Sequence, residues 1–183
     1  MVAVIVIVVL LVLVGLFFWV GFNGLVKRRN QVDNAWSQID VQLKRRHDLI
    51  PNLVETVKGY AAHERGTFEA VTNARANAIN AQSPQDQAQA ENVLSGALKS
   101  LFAVAEAYPD LKANQNFLNL QEELTSSEDK VAYARQYYND SVLNYNTQIQ
   151  KFPTVLLAGM FHFEKREFFD AAPEETETPQ VSF

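Results

Sequence analysis

From Val2 to Phe22 the chain is an unbroken run of Val, Ile, Leu, Phe, Ala, Trp and Gly, and no charged residue occurs before Lys27. A helix over this run, rising 1.5 Å per residue, is about 32 Å long and can cross the hydrocarbon core of a bilayer. The many β-branched residues would suit a strand in water, but a lone strand in lipid leaves its backbone groups unpaired, whereas a helix satisfies them internally. A transmembrane helix is predicted, with Trp19 near its polar end, where an indole suits the headgroup boundary. A secretory signal peptide is the competing reading. It calls for a basic stretch, a shorter apolar core and a small-residue cleavage site, whereas only Met1 precedes this run and its exit reads Gly21-Phe22-Asn23-Gly24-Leu25. The retained anchor is favoured.

Beyond the anchor the apolar period becomes that of amphipathic helices. Val32, Trp36, Ile39 and Leu43 form one stripe, with Trp36 expected as its buried centre. This first helix is expected to end near His47. Asp48 can cap a second helix and Pro51 fits a first turn, so a tight reversal is predicted there, with a kink as the alternative. Val54, Val57, Ala61, Phe68, Val71 and Ala78 make the second stripe, interrupted at Glu64. Ser83-Pro84-Gln85-Asp86 supplies a cap residue, a proline at the first helical position and an early carboxylate, which marks the start of a third helix. Its stripe runs Leu94, Leu98, Leu101, Ala105 and Tyr108 until Pro109-Asp110. A fourth runs from Phe117 through Leu120, Leu124, Val131, Ala134, Tyr138, Val142 and Tyr145 to Ile149, ahead of Pro153. Ser126 with Asp129 leaves a break near Thr125 open.

Short connections between four amphipathic helices predict an all-α chain, in which the anchor continues into an antiparallel up-and-down four-helix bundle. The boundaries expected are an anchor over 1–26, the bundle over 27–151, an apolar membrane-proximal segment over 152–169 and an acidic, disordered tail over 170–183. Parity adds a geometric result. If the first helix leaves the membrane, the fourth returns to it, and the run from Phe152 to Phe161 arrives at the bilayer surface. That run is too short to span and too apolar for a free tail. Leu156, Leu157, Met160 and Phe161 are its candidate contacts with lipid or with protein.

Net charge and composition narrow the function. A formal charge of -5 argues against nucleic-acid binding, which needs a basic surface. The absence of Cys excludes disulfides, thiolate metal sites and Cys nucleophiles. His47, His63 and His162 fall on separate segments, and His63-Glu64 has Thr67 where a zincin motif needs its second His. No phosphate loop or nucleophile elbow occurs, so neither an enzyme nor a cofactor or metal site is expected. Lys27, Arg28 and Arg29 follow the span with nothing basic before it. The positive-inside rule then puts the bundle in the cytoplasm and the N-terminus outside. Lys44, Arg45 and Arg46 are expected to complement the dipole at the end of the first helix, with a partner-binding patch as the alternative. The polar residues Asn30, Asp33, Asn34, Asp40 and Asn52 suit solvated surface and caps, or a polar self-association face. Tyr137, Tyr138 and Tyr145 suit bundle packing with satisfied hydroxyls.

The segment RNQVDNAWSQIDVQLKRRHDLIPNLVETVKGYAAHE, from Arg29 to Glu64, resembles the signature region of the LemA family of bacterial membrane-anchored helical proteins. The likeness continues through ARQYYNDSVLNYN, from Ala134 to Asn146, and FPTVLLAGMFHFEKREFF, from Phe152 to Phe169. His162 departs from it, standing where the family is expected to have Gly. The resemblance implies an N-terminal membrane helix, an antiparallel helical domain, a bacterial inner-membrane location and no established catalysis. It also implies an accessory role, since some members are encoded beside a membrane zinc metalloprotease, a candidate partner, and one branch belongs to magnetosome formation. Two functions follow: a noncatalytic scaffold or adapter that self-associates or organises other membrane proteins, or a membrane-tethered sensor that holds a small ligand or ion inside the bundle. A buried charged cluster between helices would favour the sensor, and a continuous apolar core the scaffold.

Overall fold

The computed structural model describes residues 1–169 as α1 (Val2–Lys58), α2 (Arg65–Ile79), α3 (Pro84–Glu106), α4 (Pro109–Lys112), α5 (Gln115–Gln150) and α6 (Thr154–Met160). There is no strand among the described residues, so the chain is all-α. The acidic stretch 170–183 lies outside the described residues. The apolar run forms the start of α1, and none of its most hydrophobic window is buried against the rest of the chain. A helix this apolar and this uncovered is a candidate membrane span.

The first correction concerns Pro51. The sequence predicts a reversal there, but α1 continues without interruption to Lys58, and the chain turns between Gly59 and Glu64. A proline inside a helix removes one backbone hydrogen bond and crowds the carbonyl four residues earlier, at a cost of about 3 kcal/mol or more. That carbonyl belongs to His47. Here Arg75 of α2 donates from Nε to the His47 carbonyl oxygen at 2.7 Å and replaces the missing donor. Burial also favours continuity: Leu43, Arg46, Ile50, Leu53 and Val57 are all buried, at alternating spacings of three and four. They form a single stripe on one helix.

The other boundaries follow local chemistry. Ser83 caps α3 by accepting the backbone N–H of Asp86 at 3.1 Å, with Pro84 behind it in the first turn. Asn114 caps α5 through its Oδ1, which accepts from the N–H groups of Asn116 and Phe117 at 2.9 and 3.1 Å. No break occurs near Thr125; its hydroxyl donates back to the Gln121 carbonyl within a continuous α5.

Two compact units are present. In the first, Met1–Ser37 with Gln136–Glu167, Leu25, Val32 and Ala35 of α1 are buried, as are Val142, Tyr145 and Ile149 of α5. Trp36 is a second correction. It is half-buried, with its ring 5.3 Å from that of Tyr138, and the fully covered position beside it is Ala35. The stripe steps from Val32 to Ala35 to Ile39, which rotates Trp36 to its edge. The second unit, Gln38–Arg135 with the chain from Phe168, holds a continuous apolar core. Ile50, Leu53 and Val57 of α1 meet Phe68 and Val71 of α2, Leu94, Leu98 and Leu101 of α3, Leu111 of α4, and Phe117 and Leu124 of α5. This is the four-helix arrangement that the stripes predict.

The Pro51 compensation is testable. Arg75→Ala orphans the His47 carbonyl and should destabilise the folded chain by about 1–3 kcal/mol. In a Pro51→Ala background α1 regains its own donor, and the same replacement should cost clearly less. Denaturant unfolding of the four combinations measures the coupling. Equal costs in both backgrounds would show that Arg75 acts by another route.

Candidate functional site

In the first unit, α6 returns the apolar run 152–161 to the end of the candidate span. Leu157 is fully buried and occupies the space beside Gly21, so a Cβ at Gly21 would collide with its side chain. The Phe22 ring lies 4.8 Å from that of Phe161 and 5.8 Å from that of Phe163, both edge-on. Ala158 is covered as well, whereas Phe152, Leu156, Met160 and Phe161 remain exposed. The helix therefore buries one side against α1 and leaves an apolar side uncovered. Leu157 is thereby corrected as a candidate contact, because it packs inside its own chain.

The irregular segment after α6 is held by side chains of α5. Asn146, which is buried, accepts the backbone N–H of Arg166 on Oδ1 and donates from Nδ2 to the Arg166 carbonyl, both at 2.9 Å. Tyr138 donates its hydroxyl to the Glu167 carbonyl at 2.8 Å. Burial pushes the Tyr138 phenol up to about 12, Arg166 pulling the other way. Arg166 in turn reaches Asp33 on α1 at 2.8 Å, and the Arg29 guanidinium lies 5.3 Å from the centre of the Phe163 ring. Of the other anchor positions, Val2, Trp19, Lys27 and Arg28 are exposed, and Phe22 is half-buried.

In the second unit the structure brings together residues that the sequence kept apart. Arg46 is buried on the inner face of α1, where its Nη1 donates to Glu91 Oε2 at 2.9 Å and its Nη2 to Ser95 Oγ at 2.8 Å. Glu128 lies 3.7 Å from the same guanidinium. His47 Nε2 stands 2.7 Å from the other Glu91 oxygen, which also accepts from Gln87 Nε2 at 3.0 Å. Arg46, His47, Glu91 and Gln87 are all buried. A cavity of about 310 Å³ borders this group, lined by Asp40, Leu43, Lys44, His47 and Gln87 among others.

The basic run Lys44–Arg46 is thus corrected as a helix end, and Arg46 is corrected as a member of a surface patch. Helix α1 does not end there, so these charges sit in its interior rather than at its C-terminal dipole. Arg46 is also covered, leaving only Lys44 and Arg45 exposed, and Arg45 lies 3.9 Å from Glu123. Among the expected polar surface residues, Asp33 carries the ion pair to Arg166 and Asp40 lines the cavity. Tyr137 is exposed and accepts a long bond of 3.4 Å from Gln31, while Tyr138 and Tyr145 are buried. The partners the sequence missed are Gln87 and Glu91. They lie on the third helix's buried face, where a carboxylate amid Ala and Leu already signals a buried cation opposite. No group of three or more His, Asp or Glu side chains suited to a metal occurs among the described residues.

Glu91→Ala would leave Arg46 buried without its carboxylate and should destabilise the fold by about 3–5 kcal/mol. Joint replacement of Arg46 and Glu91 by Leu removes both charges and should cost markedly less. Urea titration followed by circular dichroism distinguishes these outcomes, and a mild effect of Glu91→Ala would mean that water already reaches Arg46.

Comparison with known proteins agrees with this helical, membrane-associated architecture. The LemA family profile matches residues 35–183. Protein LemA of Metamycoplasma hominis is 28% identical over 169 residues, covering 88% of this chain and 76% of that protein. Magnetosome protein MamQ 2 of Paramagnetospirillum magneticum is 26% identical over 178 residues, covering 83% of this chain and 65% of its own length. Magnetosome protein MamQ of Magnetospirillum gryphiswaldense is 25% identical, covering 87% of this chain and 70% of its own. With the family profile covering most of its length, the chain belongs to the LemA family.

Proposed function

We propose that this protein is a noncatalytic, membrane-anchored helical scaffold that self-associates and organises other membrane proteins. The observation that carries this reading is α6, whose exposed Leu156, Met160 and Phe161 form an apolar face fixed beside the end of the span by Leu157 and Gly21. An apolar face held at a defined height invites a second copy at the membrane. The relatives named as magnetosome proteins support a role in building a cellular structure. Gly15, Gly21 and Gly24 do not form the four-residue small-residue pairing of self-associating spans, which makes the helical domain and α6 the better association surfaces. A membrane metalloprotease, suggested by the family resemblance, is one class of protein it would organise. The location proposed is the bacterial inner membrane, with the helical domain in the cytoplasm, on the ground of Lys27, Arg28 and Arg29.

A specific observation favours a second reading, a ligand sensor. The core of the second unit is continuous and apolar, as a scaffold's would be, yet it also contains the buried Arg46–Glu91–His47 group beside a cavity of about 310 Å³. The scaffold stands first because Glu91 pairs with both Arg46 and His47 across the helices, which suits a device that fixes helix register, although Arg46 Nε is left without a partner. Native mass spectrometry of the chain isolated from membranes bears on the sensor, which requires a retained small molecule lost with Gln87→Ala.

Full-length protein in detergent should scatter light as an oligomer after subtraction of the micelle. Leu156→Glu with Phe161→Glu should shift it toward monomer; Leu157 is unsuitable for this test because its replacement would disturb the fold. A monomeric wild type would sink self-association, and an oligomer indifferent to both changes would move the interface to the helical domain. A fluorescent reporter fused after Phe183 should glow in the cytoplasm, whereas active alkaline phosphatase at the same position would reverse the proposed orientation.

A further inference from the structure

A cavity of about 200 Å³ in the first unit is lined by Arg29, Tyr145, His162, Phe163, Lys165 and Arg166, with Glu164 as the one carboxylate. With Arg166 already paired to Asp33, Arg29 and Lys165 outnumber Glu164 and leave the lining basic in an acidic chain. Tyr145, only 1% exposed, contributes its side chain to this lining. Tyr138, two turns earlier on α5, gives its hydroxyl to the Glu167 carbonyl. Burial raises the Tyr145 phenol pKa against the pull of Arg166 and Arg29, so the hydroxyl stays protonated and can donate.

The pocket is also built in advance. Asn146 fixes the Arg166 backbone in both directions, Arg29 lies over the Phe163 ring, and Arg166 is tied to Asp33. His162 holds the turn between α6 and the segment with φ of 54°, a left-handed conformation uncommon for any residue but Gly. It adopts the conformation that the Gly expected from the family resemblance would take freely, with an imidazole added to the pocket wall. Sparsely populated backbone geometry of this kind tends to gather at binding sites.

We infer that Arg29, Lys165 and Tyr145 form a binding site for a phosphate group, supplied by an anionic phospholipid headgroup. Arg and Lys give charge-assisted bonds to phosphate oxygens, and the Tyr145 hydroxyl gives a further donor. Height above the membrane identifies the source. Arg29 lies three residues, about 4.5 Å along the helix, past Val26 at the end of the expected anchor, at the level expected for the headgroup layer. The volume suits a headgroup, being smaller than the cavities of about 300–1,000 Å³ that take drug-sized molecules. This inference is independent of the scaffold proposal and needs neither self-association nor a protein partner.

The test uses full-length protein in a neutral maltoside detergent, titrated with dioctanoyl phosphatidylglycerol, dioctanoyl phosphatidylcholine and inorganic phosphate. Phosphatidylglycerol should bind at one saturable site at least tenfold more tightly than phosphatidylcholine. Arg29→Gln with Lys165→Gln should weaken it at least tenfold. Tyr145→Phe removes only the hydroxyl oxygen from the lining, and should weaken binding by about tenfold with thermal unfolding unchanged. If the double variant fails to fold, Tyr145→Phe decides. Inorganic phosphate binding as tightly as the lipid, and equally sensitive to Tyr145→Phe, would support the phosphate site and make free phosphate its source. Equal binding of both lipids, or phosphatidylglycerol binding indifferent to Tyr145→Phe, would overturn the site.

Discussion

Helix α1 stays whole past Pro51 with the His47 carbonyl, which the proline leaves without its helical donor, accepting instead from Arg75 at 2.7 Å. Much of the second unit depends on that bond. With α1 unbroken to Lys58, Arg46 and His47 face inward toward Glu91, Ile50, Leu53 and Val57 enter the core, and the first reversal is postponed to residues 59–64. The donor comes from α2, so the irregularity in one helix also fixes the position of the next. A proline that would otherwise break a helix becomes a point of attachment between two.

The Arg46–Glu91 pair applies the same logic to register. Apolar stripes tolerate small slides, since one Leu can replace another against Val or Ala, but a buried guanidinium has few acceptable positions. Glu91 accepts from Arg46 on one oxygen and meets His47 and Gln87 on the other. A slide by one turn would leave charge buried without a partner. Whether the adjoining cavity also serves a ligand is a separate matter from this structural role, and the two uses are compatible.

In the first unit an irregular segment is held without secondary structure of its own. Asn146 and Tyr138 bond its backbone directly, and Leu157 and Phe163 are buried next to it. These contacts turn a short apolar run that could not cross a membrane into a fixed feature beside one that can. Exposed Leu156, Met160 and Phe161 then face outward at that level, and the basic pocket around Arg29 opens from the same loop. The first unit thus offers an exposed apolar helix face and a basic pocket lined from the segment that follows it.

The sequence alone determined the features that depend on near neighbours. Uninterrupted apolarity before Lys27 dictates a span-length helix, Ser83-Pro84 starts α3 through its own backbone geometry, and the helical periods of the later stripes select the all-α class. The parity of four helices also foretold that Phe152–Phe161 would return to the end of the span, although the first reversal was misplaced, because moving a turn does not change the number of turns. Tertiary structure decided what depends on distant partners. The fate of Pro51 rests on a side chain 28 residues away from the carbonyl it relieves, and the burial of Arg46 on a carboxylate 45 residues away. Leu156 and Leu157 are equally apolar in the sequence, and only the open space at Gly21 determines which one is covered. Local pattern identifies a face, whereas the partner of that face is fixed only when the chain closes on itself.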